Sequence, residues 1–106
     1  ELLLFSAPSP VNYDCKKHNA LKEYAEEKNL PYIDLNMKYT DIGIDWKKDS
    51  YDKGDHLNIH GARKVTDYMA KYLTENYNLP DRRNEKGWEE WHNLADRYFK
   101  ELKEKI

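Results

Sequence analysis

The order of the first three segments constrains the fold more than any other feature of this 106-residue chain. An uninterrupted apolar run, Leu2–Phe5, precedes two prolines; residues 14–28 then have helical spacing, and Tyr32–Asn36 has the composition of a strand. The apolar run is typical of a short strand that is buried on both faces. Because a strand, a helix and a strand with short connections form a parallel βαβ unit, the sequence predicts an α/β fold.

Three polar residues follow or end the two predicted strands. Ser6 and Ser9 come directly after the first strand, and Asp34 lies near the end of the second. Open α/β sheets bind ligands at the carboxyl ends of their strands, so we expect these residues at the functional edge. A serine beside proline is typical of turns, and a carboxylate in this position commonly accepts hydrogen bonds from loop amides. Ser6 and Asp34 are therefore candidates for supporting the site.

The densest group of titratable residues lies in the stretch YDKGDHLN at 51–58. It places His56 beside two carboxylates, Asp52 and Asp55, on a turn that contains glycine. A histidine acts as a base near neutral pH when an acceptor fixes one ring nitrogen and the other nitrogen faces the reacting proton. Asn58 stands where it can cap the amphipathic helix that follows, which would fix the end of this loop. The sequence predicts a carboxylate–histidine site at the start of a helix.

This block resembles the C-terminal catalytic block of SGNH (GDSL-type) hydrolases and acyltransferase-like proteins. The likeness is carried by DKGDHLN at 52–58 and GARKVT at 61–66. In that family a late Asp-x-x-His block supplies the acid and the base of a serine triad, while the nucleophilic serine lies far upstream in a Gly-Asp-Ser block. Here the residue three before His56 is Lys53, so the orienting acid is either Asp52 or Asp55. The chain contains no Gly-Asp-Ser block.

The resemblance implies a function and an architecture. It implies the acid–base half of a serine esterase or O-acyltransferase that acts on acylated carbohydrate or a cell-envelope polymer, with the nucleophile outside this chain. It also implies the final portion of an SGNH-like (flavodoxin-like) three-layer sandwich, in which upstream residues or another copy complete the sheet. An extracytoplasmic or cell-envelope location in bacteria follows from the same likeness, and the isolated chain is expected to be inactive.

Composition bears on several other classes of function. The net charge of −2, with acidic and basic residues interspersed, predicts no nucleic-acid partner. The single cysteine, Cys15, forms no internal disulfide and is too little for a cysteine-based metal site. The acidic residues of the irregular stretch 37–55 do not have the spacing of an EF-hand loop. The sequence therefore predicts neither a metal nor a cofactor.

The last segment, residues 85–106, has the clearest helical pattern in the chain. Its apolar residues recur at steps of three and four, and nearly all the others are charged. The members of this stripe are Trp88, Trp91, Leu94, Ala95, Tyr98, Phe99, Leu102 and Ile106. We expect one α/β domain, or the C-terminal portion of one. Its residues 1–80 carry the Asp-His block, which is the stretch 51–58 described above, and its residues 81–106 form this helix. The stripe packs on the rest of the domain or, in a non-catalytic alternative, docks a partner.

Overall fold

A computed structural model of the chain describes residues 1–105, and within them the fold is mixed α/β with a short parallel strand pair and four α-helices. The chain forms two compact units, Glu1–Leu73 and Thr74–Ile106. The elements in order are β1 (Leu4–Ser6), α1 (Cys15–Glu27), β2 (Tyr32–Asp34), a 3-10 helix (Leu35–Lys38), α2 (Tyr39–Ile42), β3 (Ser50–Tyr51), a second 3-10 helix (Asp52–Gly54), β4 (His56–Leu57), α3 (Ile59–Asn76) and α4 (Glu89–Lys105).

The predicted parallel βαβ unit is confirmed. β1 and β2 pair in parallel, with Leu4 opposite Tyr32 and Ser6 opposite Asp34. Between them, α1 begins where the Asp14 side chain accepts a hydrogen bond from the backbone N–H of Lys17, at 2.9 Å. This bond satisfies one of the donors that a helix N-terminus leaves free. The helix between the two strands therefore begins at its predicted cap, and the strands pair in parallel as the strand–helix–strand order predicts.

The prediction that Leu2–Phe5 is buried on both faces is wrong. The strand is Leu4–Ser6, and the side chains of Leu2 and Phe5 are each more than half exposed. In the part of the chain that the structure describes, the sheet containing β1 has two strands. Side chains alternate between the faces of a strand, and on the face that carries Phe5 the paired residue Ile33 is only partly buried. The core of the first unit is correspondingly small, with Ala25, Leu35 and Ile44 as its buried apolar residues.

The irregular stretch at 37–55 has more structure than its lack of periodicity predicts. It contains α2 and strand β3, which pairs antiparallel with β4 so that Ser50 lies opposite Leu57 and Tyr51 opposite His56. These elements have two to four residues each, too few to produce a hydrophobic period. In the resulting hairpin, the Asp-His block lies directly before the start of α3.

The two long helices of the C-terminal half are present, but the last one begins four residues after its predicted start at residue 85, because Gly87 has a positive φ of 98° that a helix does not accommodate. α3 spans Ile59–Asn76, and α4 spans Glu89–Lys105. Ile106, the last member of the predicted apolar stripe, lies outside the described residues. No helix among residues 1–105 combines the length and the apolar character that crossing a membrane requires.

Candidate active site

The turn between β3 and β4 has an unusual backbone. Asp52 and Lys53 have φ angles of 50° and 57°, and Gly54 has a φ of 103°. Residues other than glycine adopt positive φ uncommonly, and such positions cluster at functional sites because surrounding contacts must maintain them. Here the turn brings the side chain at its first position back toward His56 at its end.

The imidazole of His56 lies against both carboxylates of the turn. Its Nδ1 is 2.9 Å from Asp52 Oδ2, within hydrogen-bond distance, and 3.5 Å from Asp55 Oδ2. Asp52 therefore acts as the hydrogen-bond acceptor, and Asp55 supplies a second negative charge. With its proton on Nδ1, the neutral ring has Nε2 as an acceptor for a proton from elsewhere. The side chain of His56 is 69% exposed, so this nitrogen is within reach of a substrate.

The two carboxylates raise the pKa of His56. The larger cause is the hydrogen bond to Asp52, followed by the charge of Asp55, and both favour the protonated ring. A higher pKa makes the neutral ring a stronger base but delays its formation to higher pH. The arrangement can therefore take up a proton and stabilise the imidazolium that results.

The segment after β1 holds the other side of this turn. Ser9 Oγ donates a hydrogen bond to the backbone carbonyl of Asp55 at 3.0 Å, and the Asn12 amide donates to the Asp55 carboxylate. A Cβ placed on Gly54 would lie 3.4 Å from Pro10 Cγ. The exit of the first strand therefore packs on the Asp-His block, as the position of Ser9 predicts. Asn12 was not predicted, and its distance of 43 residues from Asp55 leaves no local sequence signal.

Asn58 caps α3 as predicted. Its Oδ1 accepts hydrogen bonds from the backbone N–H groups of His60 and Gly61, at 2.9 and 3.1 Å. Its Nδ2 donates to the carbonyl of Lys48 at 2.6 Å, and its backbone N–H donates to the carbonyl of Asp49 at 2.9 Å. One residue thus fixes the start of the helix two positions after His56 and ties it to the preceding loop.

An ion pair between a buried carboxylate and a partly exposed lysine, beneath this helix start, was missed by the sequence reasoning. Asp49 is 3% exposed, and its carboxylate accepts from Lys64 Nζ at 2.6 Å and from the backbone N–H of Asp45 at 2.8 Å. These bonds, with that to Lys64 first, hold the pKa of Asp49 below its ordinary value. Gly61 permits the close approach, because a Cβ there would lie 2.2 Å from the carbonyl oxygen of Asp49. Lys64 follows Gly61 by three residues, so the pair faces one side of α3.

Ser6 does not contact the Asp-His block. Its Oγ donates to the hydroxyl of Tyr13 at 3.1 Å and lies 2.7 Å from the hydroxyl of Tyr32, and the two tyrosine hydroxyls also share a hydrogen bond. Burial raises the pKa of Tyr13 above its ordinary value. The three hydroxyl groups satisfy one another, so the structure places Ser6 in a separate polar cluster.

Asp34 contacts a histidine that the sequence reasoning did not single out. Its Oδ2 lies 2.6 Å from His18 Nδ1, while its Oδ1 accepts from the backbone N–H and the side-chain amide of Asn36, each at 2.9 Å. Asp34 thus accepts hydrogen bonds from the segment after β2 as predicted, although that segment is a 3-10 helix, capped by Asp34, and not a loop. His18, Asp34 and Met37 line two neighbouring cavities of about 250 and 450 Å³. The βαβ order could have placed α1 over the end of β2, but it does not specify which helical residue arrives there.

The Asp-His block also has the donor atoms for a cation. Asp52, Asp55 and His56 each offer an oxygen or nitrogen, and these atoms lie within 4.8 Å of one another. Such a donor set could hold a divalent ion. Asp52 and His56 are exposed, however, and the imidazole Nδ1 is already hydrogen-bonded to a carboxylate. The geometry fits proton transfer at Nε2 without further rearrangement.

Comparison with protein-family models, with curated proteins and with solved structures gives no match to this chain.

Proposed function

We propose that the Asp52–His56 block is the acid–base half of an SGNH-like serine esterase or O-acyltransferase. One observation carries the proposal: His56 Nδ1 is held 2.9 Å from Asp52 while the ring is mostly exposed. An acceptor on one nitrogen and an accessible second nitrogen are what a histidine base requires. The likeness of residues 52–66 to the late block of that family supplies the reaction type.

Each of the three residues His56, Asp52 and Asp55 has a role in the proposed reaction. His56 Nε2 takes the proton from a serine hydroxyl, and the serine oxygen bonds to the carbon of an ester carbonyl. The imidazolium then gives its proton to the alkoxide that leaves as the C–O bond of the ester breaks. Water or an acceptor hydroxyl repeats the sequence and releases the acyl group from serine. Asp52 orients the ring, and the charge of Asp55 adds to the stabilisation of the imidazolium.

The nucleophilic serine in this proposal lies outside the 106 residues. Of the three serines in the chain, Ser6 is bound within a tyrosine cluster, and Ser9 and Ser50 each donate the hydroxyl hydrogen to a backbone carbonyl. The parallel pair β1–β2, with Leu2 and Phe5 exposed, is consistent with a sheet that upstream residues or another copy extend into the three-layer SGNH-like sandwich. The substrate class, acylated carbohydrate or a cell-envelope polymer, comes from the resemblance.

The test uses a serine-reactive fluorophosphonate on a natural polypeptide that contains these residues together with upstream sequence. We expect one upstream serine to be labelled, and His56→Gln to slow the labelling by at least about a thousandfold. His60→Gln is the matched control, because His60 is an exposed histidine four residues later. Equal labelling rates in His56→Gln and the unchanged protein would contradict the proposal. The 106-residue chain alone is expected to remain unlabelled.

A second candidate function is a non-catalytic interaction module that binds through α4. The observation that favours it is the exposure of the aromatic stripe, which includes Trp91 and Phe99. Full fluorophosphonate labelling in His56→Gln, or no labelling of any polypeptide that contains this chain, would favour this candidate over the enzyme.

A further inference from the structure

Helix α4 presents an apolar face that the described residues leave open. None of its residues is buried, and Trp91, Tyr98 and Phe99 are 65%, 54% and 57% exposed. At about 100° per residue these side chains fall within one stripe along the helix. Aromatic residues clustered in this way are characteristic of protein–protein contact surfaces.

The N-terminal half of this face contains a cavity. A hollow of about 490 Å³ lies between α4 and the segment that precedes it, and its lining includes Pro80, Arg83, Trp88, Trp91 and Ala95. His92 Nε2 lies 2.5 Å from the carbonyl oxygen of Arg83, which fixes one wall of this hollow. The C-terminal half of the helix instead projects Tyr98 and Phe99 into solvent. The N-terminal half of α4 therefore lines a hollow, and its C-terminal half carries exposed aromatic side chains of a size that the hollow can hold.

The charges at the two ends of α4 are opposite. Glu89 and Glu90 lie in its first turn, and its last turn has Lys103 and Lys105 with Glu104 between them, so the first end is acidic and the last carries a net positive charge. These charges favour the helix itself through its dipole. Two such helices side by side in parallel would also place like charges together at both ends, whereas an antiparallel pair places acidic ends beside basic ends.

We propose that the occupant of this face is a second copy of the chain, with the two α4 helices antiparallel about a two-fold axis near Arg97. This arrangement brings Phe99 and the neighbouring Leu102 of each copy to the hollow lined by Trp91 and Ala95 of the other. The same contact therefore forms twice, as an isologous interface requires. The proposal depends on α4 as a docking face and not on the chemistry of His56.

The available area predicts a weak, concentration-dependent dimer. The exposed apolar side chains of α4 offer roughly 500 Å² per copy, hence about 1,000 Å² for the pair, near the lower limit for specific association. We expect sedimentation velocity of the 106-residue chain to show a monomer at about 1 µM and a dimer at about 500 µM. A monomer throughout this range would overturn the proposal and assign the face to a different partner.

A matched pair of substitutions locates the contact. Phe99→Ser should abolish the dimer, whereas Phe5→Ser, which removes a phenylalanine of similar exposure from β1, should leave it intact. Loss of the dimer in Phe5→Ser with retention in Phe99→Ser would place the interface on the sheet and overturn the proposal.

Charge reversal tests the orientation of the helices. The Glu89→Lys, Glu90→Lys variant and the Lys103→Glu, Lys105→Glu variant should each weaken the dimer by about tenfold, because both ends then repel. Combining all four substitutions should restore association, although the helix dipole is then opposed. Circular dichroism verifies that the helix persists in each variant. Unchanged association in both two-residue variants, or no recovery in the combination, would overturn the antiparallel arrangement.

Discussion

The first unit contains two histidine–carboxylate pairs, and they differ in what surrounds them. His18 lies 2.6 Å from Asp34, whose side chain is 3% exposed and whose two oxygens both accept hydrogen bonds. His56 lies 2.9 Å from Asp52, and both side chains are more than 60% exposed. The buried pair joins α1 to the end of β2, so its main consequence is stability. The exposed pair stabilises little and leaves a ring nitrogen accessible, which is the condition for proton transfer.

The largest expected effect distinguishes the two pairs by stability. Asp34→Ala removes a buried carboxylate that accepts from His18 and Asn36, so we expect a loss of about 3 kcal/mol in the free energy of unfolding. Asp52→Asn is the matched control and should change this free energy by less than about 0.5 kcal/mol, because its side chain is exposed and asparagine also tolerates the positive φ of this position. Urea denaturation monitored by circular dichroism measures both. Equal losses in the two variants would remove the structural distinction between the pairs.

The ion pair beneath the start of α3 lies close in sequence to the exposed His56–Asp52 pair. Lys64→Met removes the cation that pairs with buried Asp49 beneath the start of α3. Because Lys64 is partly exposed and solvent screens the pair, we expect a loss of about 1 kcal/mol at pH 7. The pKa of Asp49 is lowered in the folded state, so this stabilisation is present above the unfolded pKa of about 4 and disappears as the pH falls through the folded value.

Unfolding measured between pH 7 and pH 2 tests this sign. The difference between Lys64→Met and the unchanged chain should shrink below about pH 4. Arg63→Met, which removes an exposed cation from the same helix, is the matched control. A difference that stays constant down to pH 2 would contradict the assignment of the ion pair.

Features formed by residues that are close in sequence could be predicted, and contacts between distant residues could not. The cap at Asn58 and helix α3 were predictable, because a capping residue and a helical period can each be recognised from residues that are close in sequence. The sequence placed Asp52 and Asp55 beside His56 for the same reason, but it left open which of the two carboxylates orients the ring, and the structure gives the hydrogen bond to Asp52. The likeness to SGNH proteins for this block stays a prediction.

Contacts between distant segments were not predictable. His18 reaches Asp34 across 16 residues, which requires knowing which side of α1 faces the end of β2. Asn12 reaches Asp55 across 43 residues without any local pattern. The burial predicted for Leu2–Phe5 was wrong because an apolar run reports the preference of a strand and not the neighbours that would cover it. The predicted division after residue 80 stays a prediction.

In the proposed site, Asp52 orients His56 with its Nδ1 protonated and its Nε2 available. Long-range proton–nitrogen NMR of the imidazole measures both the tautomer and the pKa in this chain. We predict the Nδ1–H tautomer at high pH and a pKa above the ordinary value of about 6.5. Asp52→Asn should lower the pKa of His56 more than Asp55→Asn does, because the hydrogen bond to Asp52 is the larger cause. An Nε2–H tautomer, or a pKa that Asp52→Asn leaves unchanged, would contradict the account.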